Sequence, residues 1–488
     1  MLTVRVLLLV FALVGGSLAT KRSFWRGRAT DEFHGDTSNL SQEKPLPNVE
    51  WFVQQNDPYG LLDNRTFYQR YYVNIEFFKS KDGPVFLFIG REGPVSPRWM
   101  MEGAWLKYAQ EFGALCLQIE HRYYGESHAK GSTINEEYGM FSSEIALTDI
   151  ALFITEMQKT FELTSNNRWV VFGGGYAGAL AAWVRLKFPQ WVHGAVTSSA
   201  PLLGKADFRE YYDVVANAII DCRPSVQEAF QEIEKNLETS TGRSSLSEQL
   251  QLCDSMEIYG ELDKANLFEN LASIFAHVVQ YNGIPYFKYS IQEVCDIMND
   301  DSKGSPLNRL AHLNKIFLDD DGLSCLDYKY DKMINELKET NWEEDASKNG
   351  TLHWFLQMCK EYGWFQTSNN ASHIFRNYFP IEFYYTQCSE VFGDFFNQLA
   401  LAKSIYNNNV IYGGLGIRAT NVIYVYGSLD PWHTLGLTES KSAGFKSIFI
   451  PGTSHCADMY EPMENDPPEL KNARKQIREF IAEILNPK

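Results

Sequence analysis

An aspartate and a histidine late in the chain have the surroundings of a catalytic pair. Asp430 lies in a loop after the apolar segment 422–426, and His455 lies in a loop after the next apolar segment, 447–450. An aspartate that orients a histidine creates a general base, which removes a proton from a nucleophile during hydrolysis. Taken singly, Asp430 is also typical of an Asp-Pro turn, and His455 of an ordinary loop histidine. The pair becomes informative only with a nucleophile earlier in the chain.

Residues 172–179, Phe-Gly-Gly-Gly-Tyr-Ala-Gly-Ala, have the composition of a nucleophile turn. In α/β-hydrolases the nucleophile lies on a sharp strand-to-helix turn, with small residues two positions to either side. Gly173 and Ala177 meet that requirement, and Gly175 occupies the nucleophile position. A glycine-rich turn alone is equally typical of a phosphate-binding loop or a tight connection. Because Asp430 and His455 follow it, the order along the chain is that of the hydrolases.

The nucleophile itself is missing from this turn. Gly175 has no hydroxyl for a histidine to deprotonate, so a covalent acyl-enzyme cannot form there. Ser198 and Ser199 end a different predicted strand, where serine is typical of a strand-end cap. Cys456 is adjacent to His455 and can hardly direct its thiol at the outer nitrogen of that ring. The sequence therefore predicts a triad that lacks its nucleophile.

The segments around these residues alternate between strand and helix. Runs of four to six apolar residues that end in glycine, proline or polar residues indicate buried parallel strands. The predicted strands are residues 85–89, 114–119, 169–172, 194–197, 422–426 and 447–450, and the predicted helices are 145–161, 179–188 and 469–485. This alternation predicts an α/β fold with a hydrolase-type sheet.

A long helical insertion is predicted to divide that sheet. Between about residues 206 and 405 the strand signal fades, and helical periodicity replaces it. Leu267, Leu271, Ile274 and Val278 have the spacing of one helix face. We expect a signal peptide at 1–19, a first hydrolase part at 20–205, a helical cap at 206–405 and a second hydrolase part at 406–488.

Several features predict an exported protein. Residues 1–19 have an early arginine, an apolar run and small residues before position 20, as secretory signal peptides do. Six of the eight cysteines lie in the central block, where disulfides are expected, although the spacing leaves their pairing open. Cys116, inside a predicted strand, is expected to be a buried thiol. Glycosylation sequons begin at Asn39, Asn64, Asn349 and Asn370.

Composition excludes some other classes of protein. The net charge of −17 is spread over many short clusters, which argues against nucleic acid as a partner, because that needs a basic face. No segment after the leader has the length and apolarity of a membrane span. No metal-binding motif is visible, and no cofactor is expected.

The chain resembles the family of lysosomal Pro-X carboxypeptidase, dipeptidyl peptidase II and thymus-specific serine protease. The segments that carry the resemblance are 89–94, 120–127, the turn at 172–179, 198–201, 430–433 and 455–460. The resemblance covers nearly the whole chain after the leader. It implies a hydrolase domain with a helical cap, a possible homodimer, a lysosomal or secreted location, and peptides with proline near the cleaved bond as partners.

Two positions depart from the family pattern. Family members resemble Gly-Gly-Ser-Tyr-Gly-Gly at the turn, where this chain has Gly175, and Gly-Gly-Glu-Gly in the loop where it has Arg91. That loop and Tyr176 are the expected sources of the oxyanion hole. Arg91 either alters the loop or simply faces solvent. From the family stretch that lines the substrate pocket, and from the motif at 430–433, we expect the pocket residues Trp354, Trp364, Phe365 and Trp432.

Two functions follow from these observations. The favoured one is a non-catalytic member of the family that keeps the fold and a peptide-binding or regulatory role. The alternative is a working serine-type exopeptidase for proline-containing peptides that uses an unrecognised nucleophile.

Overall fold

An eight-stranded mixed sheet forms the centre of the molecule. The computed structural model describes residues 24–25, 28–29, 46–60, 63–128, 138–285, 287–368, 374–440 and 444–486. The strands are β1 (Phe24–Trp25), β2 (Arg28–Ala29), β3 (Glu50–Gln55), β4 (Thr66–Asn74), β5 (Val85–Ile89), β6 (Leu115–Ile119), β7 (Trp169–Gly174), β8 (Gly194–Ser198), β9 (Lys205–Asp207), β10 (Gly363–Phe365), β11 (Val422–Gly427) and β12 (Phe445–Ile450). The large sheet has the order β12-β11-β8-β7-β5-β6-β4-β3.

Six neighbouring strands of this sheet are parallel, from β12 to β6, and β4 and β3 continue it in antiparallel pairing. Every residue of β5, β6, β7, β8 and β11 is buried. Helices cover both faces of such a sheet, which is why these strands are continuous apolar runs. All six predicted strands are confirmed, with ends that shift by two residues at most. The antiparallel strands β3 and β4 were not predicted.

The helices that accompany the sheet are α1 (Ala104–Phe112), α2 (Ser143–Thr160), α3 (Tyr176–Lys187) and α15 (Pro468–Leu485). The predicted helices at 145–161, 179–188 and 469–485 are confirmed as α2, α3 and α15. Helix α3 begins three residues earlier than predicted, directly after Gly175. The α/β-hydrolase fold class is therefore confirmed.

A helical insertion separates β8 from β11. It contains α4 (Glu210–Ala218), α5 (Arg223–Leu237), α6 (Ser240–Gln249), α7 (Glu261–Gln280), α8 (Ile291–Met298), α9 (Pro306–Asp320), α10 (Tyr330–Glu339), α11 (Trp342–Lys348), α12 (Thr351–Gln357), a π-helical turn (Met358–Tyr362), α13 (Ile381–Phe392) and α14 (Gln398–Tyr412). Its only described strands, β9 and β10, pair in parallel. The four apolar residues of the predicted helix face, at 267, 271, 274 and 278, are all buried on α7.

Three disulfides staple the insertion, which confirms that disulfides form in this block. They join Cys222 to Cys295, Cys253 to Cys325, and Cys359 to Cys388. Cys116 and Cys456 are free and buried, so the prediction of a buried thiol at Cys116 is confirmed.

Only some of the predicted processing and glycosylation sites lie within the described residues. The signal peptide and the sequons at Asn39 and Asn370 lie outside the described residues. Asn64 is exposed, whereas Asn349 is half-buried and accepts a hydrogen bond from the Thr351 hydroxyl at 3.2 Å. Within the described ranges, no helix combines the length and the apolarity that a bilayer crossing requires.

Candidate active site

Gly175 lies at a sharp turn between β7 and α3. Its backbone has φ +57° and ψ −128°, a conformation that residues with side chains rarely adopt. Its neighbours are tightly enclosed. A Cβ atom on Gly173 would lie 2.2 Å from the Ala177 carbonyl oxygen, and one on Gly174 would lie 2.5 Å from the Met459 sulfur. The small residues of this turn are thus required by the closeness of the surrounding backbone and side chains.

Asp430 and His455 are hydrogen-bonded to each other. His455 Nδ1 and Asp430 Oδ1 are 2.9 Å apart, and the backbone N–H of Trp432 also donates to Oδ1, at 3.1 Å. Asp430 is fully buried and His455 is 6% exposed. Burial acts to lower the pKa of His455, but the Cys456 sulfur and the Asp430 carboxylate outweigh it and raise that pKa well above its ordinary value. The pair has the geometry of an oriented general base.

The other ring nitrogen of His455 faces Gly175. A Cβ atom built on Gly175 would lie 3.3 Å from His455 Nε2 and 3.7 Å from Cε1. A serine hydroxyl at this position would therefore be within hydrogen-bonding reach of Nε2. The structure places Gly175, Asp430 and His455 together in the arrangement of a triad without a nucleophilic atom.

The nearby hydroxyl and thiol groups have other partners. The Ser198 hydroxyl donates to Asp458 Oδ2 at 2.6 Å, and the Ser199 hydroxyl accepts from the backbone N–H of Cys456 at 2.8 Å. The Cys456 sulfur lies behind Gly174, 3.7 Å from the Ser198 carbonyl oxygen. Burial raises the pKa of the Cys456 thiol, which disfavours the reactive thiolate.

A small cavity of about 20 Å³ lies above Gly175. It is lined by Arg91, Glu92, Gly174, Gly175, Tyr176, Pro201, Tyr281, Trp354, Trp432 and His455. Ser198, Ser199 and Cys456 are not among these lining residues. Of the four expected pocket aromatics, the cavity therefore includes Trp354 and Trp432.

The other two expected aromatics lie behind the cavity wall. Trp364 is fully buried, and its ring meets that of Trp432 edge-on at 5.9 Å. Phe365, also fully buried, stacks on Tyr384 with ring centroids 5.0 Å apart. Trp364 thus supports the lining residue Trp432, whereas Phe365 packs away from the cavity against Tyr384.

The expected oxyanion-hole residues border the same cavity. Tyr176 is the first residue of α3, so its backbone N–H has no acceptor within the helix. The Gly90 N–H donates to the Ile119 carbonyl at 2.8 Å, which makes the Arg91 N–H the next candidate in that loop. The Arg91 side chain is 32% exposed, and its Nε is 3.9 Å from Glu92 Oε1. Arg91 thus both contacts solvent and lines the cavity.

A buried hydrogen-bond network, which the sequence analysis missed, ties α3 to the insertion. The Tyr176 hydroxyl is 3.1 Å from His121 Nε2 and accepts from Gln357 Nε2 at 3.0 Å. The Tyr124 hydroxyl donates to Gln357 Oε1 at 2.5 Å. Burial lowers the pKa of His121 to about 4, so this histidine is neutral at physiological pH. His121 and Tyr124 belong to the 120–127 motif, which was the only sequence signal for this network.

The insertion also contacts the loop that carries Asp430 and Trp432. The Gln280 side chain, at the end of α7, accepts hydrogen bonds from Trp432 Nε1 at 2.9 Å and from the Tyr211 hydroxyl at 2.7 Å. The position of the active-site loops thus depends on residues from both parts of the fold.

Comparisons with known proteins identify the family to which the chain is similar. The sequence profile described as serine carboxypeptidase S28 matches residues 54–477. The human thymus-specific serine protease is 33% identical over 446 residues, which cover 88% of this chain and 85% of that protein. The mouse lysosomal Pro-X carboxypeptidase is 28% identical over 464 residues, which cover 90% of each chain. Among solved structures, a proline iminopeptidase from Mycobacterium smegmatis aligns with 90% of this chain and 99% of its own, at 11% identity and a TM-score of 0.40.

Proposed function

Because the chain belongs to the serine carboxypeptidase S28 family, we propose that it binds peptides at the Gly175 site without cleaving them through an acyl-enzyme. The observation that carries this proposal is the absence of a side chain at residue 175, in a turn that is otherwise built for a nucleophile. Loss of a triad nucleophile lowers turnover on the order of a million-fold, or roughly 8 kcal/mol. Covalent peptidase catalysis is therefore not the role of this site.

The surroundings of the site support a retained binding function. Trp354 and Trp432 present aromatic surface to the cavity, and aromatic surfaces are common binding partners of prolyl rings. The name of the Pro-X carboxypeptidase relative points to the same peptide class. The chain also keeps the costly buried pair of Asp430 and His455. A binding or regulatory role for proline-containing peptides accounts for these features together.

The working-exopeptidase alternative lacks a supporting observation. Ser198, Ser199 and Cys456 are each engaged in hydrogen bonds away from the cavity. The Cys456 side chain also hydrogen-bonds to the His455 ring, but burial raises the pKa of its thiol, and none of the three residues lines the cavity where a peptide would bind.

The proposed location is the secretory pathway, with delivery to lysosomes or to the exterior. Three disulfides form only in an oxidising compartment. A cleaved leader at 1–19, glycans at Asn39, Asn64, Asn349 and Asn370, and a homodimer all belong to this proposal.

Two measurements on the purified protein test the binding role. A serine-directed fluorophosphonate should leave the natural protein unlabelled, and labelling of any serine would instead favour the active exopeptidase. Calorimetric titration should show that the protein binds Ala-Pro-Phe with an affinity at least about tenfold higher than that for Ala-Ala-Phe. Trp354→Phe should weaken the binding of Ala-Pro-Phe. Trp191→Phe should leave this affinity unchanged, because Trp191 does not line the cavity. Equal affinity for both peptides would exclude proline recognition.

A further inference from the structure

The cavity above Gly175 has the size and the lining of a site for one water molecule. It measures about 20 Å³, and roughly 10–15 Å³ suffices for a water when polar groups surround it. Its lining includes His455, the start of α3 and Glu92. Glu92 is 9% exposed, and its Oε2 accepts no hydrogen bond from the residues that the structure describes. Buried carboxylate oxygens normally have a donor, and a water molecule would supply it.

The residue at position 175 decides whether that space is open next to His455. A methyl group on residue 175 would lie 3.3 Å from Nε2 and would fill the space in front of it. Glycine leaves the same space accessible to solvent. Replacement of a catalytic serine by glycine is therefore chemically different from replacement by alanine, since only glycine admits a second nucleophile.

We propose that a water molecule occupies this space and that His455, held by Asp430, activates it directly, so that the chain hydrolyses small carboxylic esters without an acyl-enzyme. This activity goes beyond the peptide binding proposed above.

The reaction is balanced with water as the only co-reactant. The water oxygen forms a bond to the ester carbonyl carbon while Nε2 of the neutral His455 ring accepts one of its protons. Because the pKa of His455 is raised, the rate should increase with pH as this ring loses its proton. The carbonyl π electrons move onto the carbonyl oxygen, which the Tyr176 N–H at the start of α3 can stabilise. Collapse of the tetrahedral adduct breaks the bond to the alcohol oxygen, and the imidazolium returns its proton to that oxygen. Asp430 orients Nδ1 throughout.

Esters with a good leaving group are the expected substrates. General-base catalysis contributes about 10²–10⁴-fold, less than the roughly million-fold that depends on a nucleophile. A phenolate leaves without prior protonation, whereas an amine does not. Peptide bonds should therefore be cleaved far more slowly than activated esters.

Hydrolysis of p-nitrophenyl acetate by the full-length protein tests the proposal. His455→Gln should lower the rate about 100-fold. Gly175→Ala should lower it comparably, because the methyl group displaces the water. Gly60→Ala is the matched control, because Gly60 has φ +65° and open space around it. This variant therefore has a backbone strain similar to that of Gly175→Ala but does not fill the cavity. Its rate should equal that of the natural protein.

The course of the reaction separates water attack from a covalent route. The natural protein should release p-nitrophenol without a burst and should acquire no acetyl adduct by intact mass, whereas Gly175→Ser should give both. If Gly175→Ala does not fold, His455→Gln decides the proposal. An unchanged rate in His455→Gln, or an acetyl adduct on the natural protein, would overturn it. Neither outcome bears on peptide affinity, so the binding proposal is judged separately.

Discussion

The backbone N–H of His455 donates a hydrogen bond to the carbonyl oxygen of Gln280 at 2.9 Å. Gln280 is the last residue of α7 in the insertion, and His455 belongs to a loop of the sheet domain. The histidine is therefore fixed from two sides, by Asp430 and by the insertion. Changes in the insertion should be felt at the candidate active site.

Gln280→Ala should destabilise the protein by about 2–4 kcal/mol. The variant leaves two buried donors, Trp432 Nε1 and the Tyr211 hydroxyl, without their acceptor, and each such group costs about 1–3 kcal/mol. Urea denaturation measures the change. Gln292→Ala is the control, because that exposed side chain bonds only to Asp296 among the described residues, and it should lie within about 0.5 kcal/mol of the natural protein.

Gly175→Ser should lower the stability of the protein and make residue 175 a reactive nucleophile. A side chain at φ +57° costs about 1–3 kcal/mol, while the new hydroxyl comes within reach of His455 Nε2. We expect a lower denaturation midpoint, fluorophosphonate labelling at residue 175 and measurable hydrolysis of proline-containing peptides. If Arg91 obstructs the oxyanion hole, peptide hydrolysis should require Arg91→Gly as well. A folded double variant with no activity would show that the pocket no longer accepts a peptide bond.

Tyr176→Phe should lower the free energy of unfolding by about 1–3 kcal/mol. The lost hydroxyl serves both His121 and Gln357 in a site without solvent, so both polar groups lose a partner. Tyr59→Phe removes a hydroxyl that makes one exposed contact, with Thr148 at 3.4 Å, and should have a negligible effect. Equal stabilities of the two variants would mean that the Tyr176 network contributes nothing.

Asp458 should make the protein more stable in acid than at neutral pH. Burial raises the pKa of its carboxyl to about 6, against the opposing effects of the Ser198 hydroxyl, Arg474 and His455. Because the folded state holds this proton more tightly than the unfolded state, the contribution is fully present below pH 3.8 and is lost as the pH rises through 6. Its full size is about 3 kcal/mol.

Comparison with Asp458→Asn isolates this contribution. An asparagine can still accept the Ser198 hydrogen bond but does not titrate. The stability of the natural protein relative to the variant should fall between pH 4 and pH 7, as followed by urea denaturation at each pH. A difference that stays constant over this range would contradict the assignment.

The sequence was sufficient for the parts of the fold that depend on local pattern. Buried parallel strands such as 85–89 are uninterrupted apolar runs, and glycines mark the turn at Gly175 because nothing larger fits. The antiparallel strands β3 and β4 were missed because they alternate between buried and exposed residues and leave weaker signals.

Features that depend on distant contacts could not be predicted. The separation of Trp354 from Trp364 and Phe365 follows from the packing of the insertion on the sheet, since all three belong to one aromatic segment and the sequence does not distinguish them. The unpartnered oxygen of Glu92 likewise results from a cavity formed by seven separate chain segments. Only the assembled structure provides such distances.

The two thiols that form no disulfide can also report local opening of the folded protein. Cys116 is completely inaccessible in the middle of β6, and Cys456 is 8% exposed beneath the turn at Gly175. Burial raises the pKa of both thiols, so an alkylating reagent should react only when the surrounding structure separates. The alkylation rate of Cys116 would measure how often the sheet opens, and the alkylation rate of Cys456 would measure how often the active-site loops separate from the turn at Gly175.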